Sequence, residues 1–166
     1  MVARTELVTD FFFGLKLIIL AKYNLRRINS LKSILYKTMN SNTFKHTDYT
    51  DRIIKSFYKV YNTLGFGFLE KVYENALLIE LRNQGLFVEK QRRIKVFYEE
   101  QEVGDYYADL IVEGKIIIEL KASESLCEEH ELQLINYLKA TEIEIGLLLN
   151  FGRKPEFRRK IFSNRI

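Results

Sequence analysis

"ADLIVEGKIIIELKA", residues 108–122, decides the fold. Two runs rich in Ile, Leu and Val meet at "EGK" (113–115), the pattern of two strands, about 103–113 and 115–121, joined by a tight turn. With Gly114 at the centre of that hairpin, residues whose numbers sum to 228 lie opposite each other. Asp109 then faces Glu119 across the pair, with side chains about 5 Å apart. The strand period of two sets Lys121 on the face of Glu119 and turns Leu110, Ile118 and Leu120 the other way, into a core. Opposed carboxylates repel unless something positive lies between them. The candidates are Lys121 and a metal ion. Carboxylate oxygens suit Mg²⁺, which keeps water and substrate phosphate in its remaining positions. A neighbouring lysine can orient or, as the neutral amine, deprotonate an attacking water, and as the ammonium can stabilise charge developing on phosphorus. The trio therefore reads as a metal-assisted phosphodiester hydrolase. It also reads as solvated charges on an open sheet face with Lys121 as a salt-bridge partner, and both readings stand at this point.

Working outward, "DYTDRIIKSFYKVYNTLG" (48–65) carries apolar residues at 53, 54, 57, 60, 61 and 64, a helical spacing that stops at Gly65. A second helix is expected from about 68 to 84, ending in "NQG" (83–85). A strand over about 87–98 and a polar turn at "EEQE" (99–102) lead into the 108–122 hairpin. A third helix over about 128–141 follows, and "IGLLLNF" (145–151) is short and continuously apolar, as a buried strand is. The order α-α-β-β-β-α-β predicts an α/β sandwich with a mixed sheet. On the second helix Glu70 and Tyr73 share a face; on the third, His130, Gln133 and Tyr137 do, with Leu134 and Leu138 beside them as anchors. Glu70 also suits a first helical turn, Gln133 a polar surface, and both tyrosines packing sites.

Composition bounds the function. At 166 residues with 47% apolar residues, the chain is long enough for a real core and too hydrophobic for disorder. One Cys excludes an internal disulfide, and with two His a structural zinc site is disfavoured; a reducing cytoplasm fits. No nucleophile elbow and no Gly-rich phosphate loop is present. Residues 1–50 hold eight Lys/Arg against three Asp/Glu, more than the net +4 of the whole chain, so the rest is close to neutral. Residues 1–45 read as a basic and apolar extension: "FFFGLKLIILA" (11–21) is too short to span a bilayer, and "KYNLRRINSLKSILYK" (22–37) is basic and amphipathic. Met39 offers an alternative start, and residues 46–166 form the expected catalytic domain.

Taken together, "GFLEKVYENAL" (67–77), "YYADLIVEGKIIIELKA" (106–122) and "HELQLINYLKATEIEIGLLLNFG" (130–152) resemble the GxxExxY proteins, a family within the PD-(D/E)XK nuclease superfamily. The resemblance covers about 50–160 and implies a restriction-endonuclease-like αβββαβ core with a mixed sheet flanked by helices. It implies that Asp109 and Glu119 hold the metal, that Glu70 adds a helix carboxylate, and that Lys121 assists the water. Gln133 and Tyr137 stand in a Q-x-x-x-Y arrangement similar to that of RecB-like members. The Pro of the superfamily name is replaced by Ala108, and residues 1–38 have no counterpart. The expected cofactor is Mg²⁺, with Mn²⁺ as a substitute. The expected partner is nucleic acid, DNA first, with a homodimer or partner protein allowed and no membrane insertion. The alternative is a non-catalytic nucleic-acid-binding module or partner-dependent subunit, since the near-neutral main domain is a poor phosphate-binding surface apart from the clusters "KQRRIK" (90–95) and "RK…RRK" (153–160).

Overall fold

The structure, a computed structural model, describes residues 46–163. The expectations placed on residues 1–45, including the Met39 start, lie outside the described residues. Two helices come first: α1 (Thr47–Leu64) and α2 (Glu70–Asn83). Three strands follow, β1 (Val88–Tyr98), β2 (Gln101–Val112) and β3 (Ile116–Lys121), then α3 (Glu128–Lys139), β4 (Ile145–Asn150) and β5 (Glu156–Ile161). The sheet order is β1-β2-β3-β4-β5, antiparallel throughout except for the parallel β3–β4 pair that α3 connects. This is the mixed, helix-flanked α/β sheet of the restriction-endonuclease type.

The hairpin pairs as its sequence requires. Leu110 lies opposite Ile118, Ile111 opposite Ile117 and Val112 opposite Ile116. The turn closes with the Lys115 N–H donating to the Val112 carbonyl at 2.9 Å, and Glu113 and Gly114 both sit at positive φ (55° and 62°). Such a turn matches the right-handed twist of the strands it joins.

Both faces of β3 and β4 are covered, which is why they read as unbroken apolar runs. One face, with Leu110, Val112, Ile116, Ile118 and Leu120, packs on Ile53, Phe57 and Val60 of α1 and Tyr73, Leu77 and Leu81 of α2. The other, with Ile111, Ile117 and Leu148, packs on Leu134, Tyr137 and Leu138 of α3. Each of these fully buried Leu or Ile side chains stabilises the fold by about 1.5–3 kcal/mol.

Two features depart from the expected pattern. The segment 156–161, read as part of a basic cluster, is the edge strand β5. Its charges are paired in the fold: Arg158 meets Glu156 at 2.5 Å and Glu131 at 3.5 Å, and Lys160 bonds Glu131. Three basic residues in six hide the alternation that identifies a strand, and charges are what an exposed sheet edge tolerates. The second departure lies in β1 and β2. Val88 belongs to the α1–α2 side of the sheet but Ile94 to the α3 side; likewise Leu110 and Ala108 part company. The alternation slips at Gln91, which adopts φ 51°, and at Asp109, to which it bonds. Lys90 and Arg92 consequently diverge rather than sharing a face: Lys90 goes to Glu74 and Asn75 of α2, and Arg92 to Glu89.

Candidate active site

The chemistry-bearing residues gather where β2 leaves β3, next to the start of α2 and the inner face of α3. Asp109 is half-buried at the alternation slip. Its Oδ2 accepts from the Leu120 N–H at 2.8 Å, and its Oδ1 from Gln91 Nε2 at 3.2 Å. The carboxylate thus bridges the two strands where the backbone ladder stops at Leu110 and Ile118. Burial raises its pKa, and the charge of Glu74 adds to this; the Leu120 and Gln91 bonds and Lys121 pull the other way.

Glu119 is buried, 3% exposed, on a strand whose other residues before Lys121 are Ile and Leu. Its Oε1 accepts from Lys121 Nζ at 2.7 Å, while its Oε2 is buried with no hydrogen-bond partner. Burial, then the charge of Asp109, lifts its pKa to about 7 despite the Lys121 bond. Burial alone would lower Lys121, but the bond to Glu119 and the charges of Glu119, Glu70 and Asp109 outweigh it, and the ammonium titrates higher than usual.

Glu70 opens α2 and is exposed; its Oε1 accepts from the Ala122 N–H at 3.3 Å, just past Lys121, and its charge is felt by both Glu119 and Lys121. Tyr73, which shares its helical face in sequence, goes elsewhere. It is fully buried, stacks on Phe151 at 4.3 Å, donates its hydroxyl proton to the Gly65 carbonyl and accepts from the Phe68 N–H. It fixes the turn that delivers Glu70. On α3, Gln133 Nε2 donates to the Tyr137 hydroxyl at 2.6 Å. Burial raises the Tyr137 pKa, the charges of Glu119 and Asp109 add to it, and so that hydroxyl is near the carboxylates and keeps its proton. His130 is turned away to the helix start, where its Nδ1 accepts from the Cys127 N–H.

Three residues of this neighbourhood carry no motif. Gln91 holds Asp109. Glu74, buried and paired with Lys71 (3.0 Å) and Lys90 (3.4 Å), sits one turn after Glu70 and acts on Asp109. Asn150, fully buried at the end of β4, clamps the segment after Lys121: its Oδ1 accepts from the Ser123 N–H and its Nδ2 donates to the Ser123 carbonyl, both at 3.0 Å. The Glu-x-x-x-Glu spacing and the polar end of "GLLLN" were the available signals for the last two.

Whether these residues suit a metal is decided by the donor set. Among the described residues no group of three or more His, Cys, Asp or Glu side chains closes round one point. What the site offers is the Asp109–Glu119 pair, an orphaned Glu119 oxygen and Glu70 at its margin. A closed zinc cage is therefore not built, but Mg²⁺ commonly takes one or two carboxylates and fills its octahedron with water and phosphate, and this pair fits it.

A mixed sheet with an Asp and a Glu-x-Lys on neighbouring strands, a glutamate from the preceding helix and a Gln–Tyr pair from the following one defines a nuclease-like protein. The family model for the PD-(D/E)XK nuclease superfamily matches residues 47–160, and the chain belongs to that superfamily. Nucleases of this superfamily typically use divalent metal ions. The crystal structure of SSO0001 is similar over 75% of this chain at 19% identity with a TM-score of 0.48, and this chain spans 63% of the SSO0001 chain. No curated protein matches the chain significantly. Among the described residues, no helix is long and apolar enough to cross a membrane.

Proposed function

We propose that the 46–166 unit is a Mg²⁺-dependent nuclease of the GxxExxY type that hydrolyses phosphodiester bonds in DNA. The observation that carries this reading is Glu119: a carboxylate buried among apolar neighbours, lifted to about 7, with one oxygen bonded to Lys121 and the other left without a partner. Structural salt bridges do not need an orphaned oxygen, whereas a cation ligand does. Asp109 and Glu119 would hold the metal, with Mn²⁺ as a substitute, and Glu70 would add a third carboxylate. The metal, when bound, supplies Lewis-acid polarisation of the phosphoryl oxygen.

The chain's own residues have separable roles. Lys121 is held as an ammonium, so it orients the attacking water and offsets charge building on the phosphate rather than removing a proton. Tyr137, kept protonated and fixed by Gln133, is a donor for a phosphate oxygen. Asp109 is locked to β3 through the Leu120 N–H, which keeps the two carboxylates from separating when their mutual repulsion is greatest.

The test is cleavage of plasmid and of single-stranded DNA with and without Mg²⁺. Activity is expected only with the metal and is lost in the Glu119→Ala, Lys121→Ala double variant; cleavage that persists in that variant would falsify the assignment. One observation favours a second reading, a binding module without catalysis: Asp109 and Glu119 already have protein partners in Gln91, Leu120 and Lys121. Titration calorimetry separates the two: a binding-only module need not take up Mg²⁺, and uptake that Asp109→Ala abolishes counts against it.

A further inference from the structure

A cavity of about 690 Å³ opens between the outer part of the β1–β2 hairpin and the C-terminal half of α3. Its walls include Lys95, Phe97 and Tyr106 from the hairpin and Asn136, Lys139 and Glu142 from the helix side. Two aromatic rings in it are left to water, Phe97 at 58% and Tyr106 at 47% exposure. Lys95 is paired with Glu102 at 2.7 Å, and Lys139 stands over the Phe162 ring at 5.9 Å. The cavity is not isolated from the carboxylates. Tyr106 forms part of its wall and also lies 5.6 Å, ring to ring, from Tyr137, the residue coupled to Glu119 and Asp109. Tyr106 thus stands between the cavity and Tyr137, whose hydroxyl feels the charges of Glu119 and Asp109.

Aromatic faces, ammonium groups and a side-chain amide in one space of this size match a nucleotide: a base to stack, a phosphate to pair, base edges to bond. With Lys95 paired to Glu102, Lys139 is the ammonium in the wall placed for a phosphate. A base inside a duplex has both faces covered by its neighbours and cannot stack on Phe97. We infer that this cavity takes an unpaired nucleotide of the substrate strand, its base against Phe97 and Tyr106 and its phosphate on Lys139. The site would then act on single strands or on frayed and overhanging ends, the strand being threaded between hairpin and α3 toward Asp109 and Glu119. This inference rests on the nuclease reading for its substrate but not for its test.

Binding is measured by fluorescence anisotropy in EDTA, where no cleavage occurs, with a labelled oligothymidylate of roughly eight nucleotides and a blunt duplex competitor. Phe97→Ala and Lys139→Glu, both exposed positions outside the carboxylate site, are each expected to weaken single-strand binding about tenfold. The duplex is expected to compete poorly. Unchanged binding in both variants, or a duplex that competes as well as the single strand, overturns the inference whether or not the protein cleaves DNA. Loss of cleavage in the Glu119→Ala, Lys121→Ala variant with binding retained leaves it standing, so the two readings fail separately.

Discussion

Burial and the charge of Asp109 lift Glu119 from 4.5 to about 7, and this has a measurable consequence in metal-free protein. Between those two values the folded chain holds a proton on Glu119 that the unfolded chain has released. Folding stability is then greatest at the acid end of the window and is lost as pH rises from about 4.5 to about 7, by roughly 1.4 kcal/mol per pH unit from this group. Urea unfolding in EDTA at pH 5 and pH 7.5 should show the slope in the native protein and a smaller one in Glu119→Gln; equal slopes would remove the claim. Lys121 is the counter-charge to that carboxylate. Replacing it with Met takes away what holds the Glu119 pKa down, so the carboxyl of the variant stays protonated at pH 7.5. The variant should lose more stability at pH 7.5, where native Glu119 is partly ionised and paired, than at pH 5, where it is neutral. A loss of the same size at both pH values contradicts the ion-pair account.

At the scale of elements, the site depends on how the chain leaves β3. The segment after Lys121 is held by Asn150 on one side and lies against Gly152 on the other, where an added Cβ would sit 2.0 Å from the Ser123 carbonyl oxygen. Gly152→Ala must push that backbone away, and an overpacking cost of about 3 kcal/mol is expected in thermal or urea unfolding. Glu70 reaches the same segment through the Ala122 N–H, so the variant should also depress cleavage more than its stability loss accounts for. Wild-type stability and activity in Gly152→Ala would show that the approach relaxes freely. Beyond the polar residue that ends the strand, this clamp is not legible in the sequence. "LLLNFGR" reads as the end of a buried strand and gives no hint that its Asn and Gly fasten a segment 27 residues earlier.

For the whole molecule, what the sequence reveals and what it conceals follows from the range of the interactions. The 110–118 register is legible because a tight turn fixes it arithmetically and the core-facing residues alternate around it; the ladder ends there, and Asp109 reaches β3 through the Leu120 N–H. The helical stripes are legible because α1 and α2 bury one face each. β5 is concealed because its own residues are charged and the Glu131 that pairs with them is distant in sequence. The slip at Gln91 is concealed because glutamine at positive φ has no compositional signature. Glu119 bonds Lys121, and the charges of Glu70 and Asp109 act on that ammonium, so a global readout of metal binding tests the group as a whole. A ligand that binds only the folded state stabilises it by mass action, about 2.7 kcal/mol at a hundredfold excess over its Kd. Mg²⁺ should therefore raise the unfolding midpoint of the native protein and leave that of Asp109→Ala unmoved. An equal shift in both would mean that the ion binds elsewhere.

The half-turn at Gln91 divides one pair of ribbons into two lengths. Inward of it sits Asp109, tied to β3 through the Leu120 N–H; outward, Ile94 and Ala108 turn to α3. On the proposed reading, shortening, lengthening or recolouring the outer arm should retune selectivity with the carboxylates left in place, so diversity among kin should concentrate there.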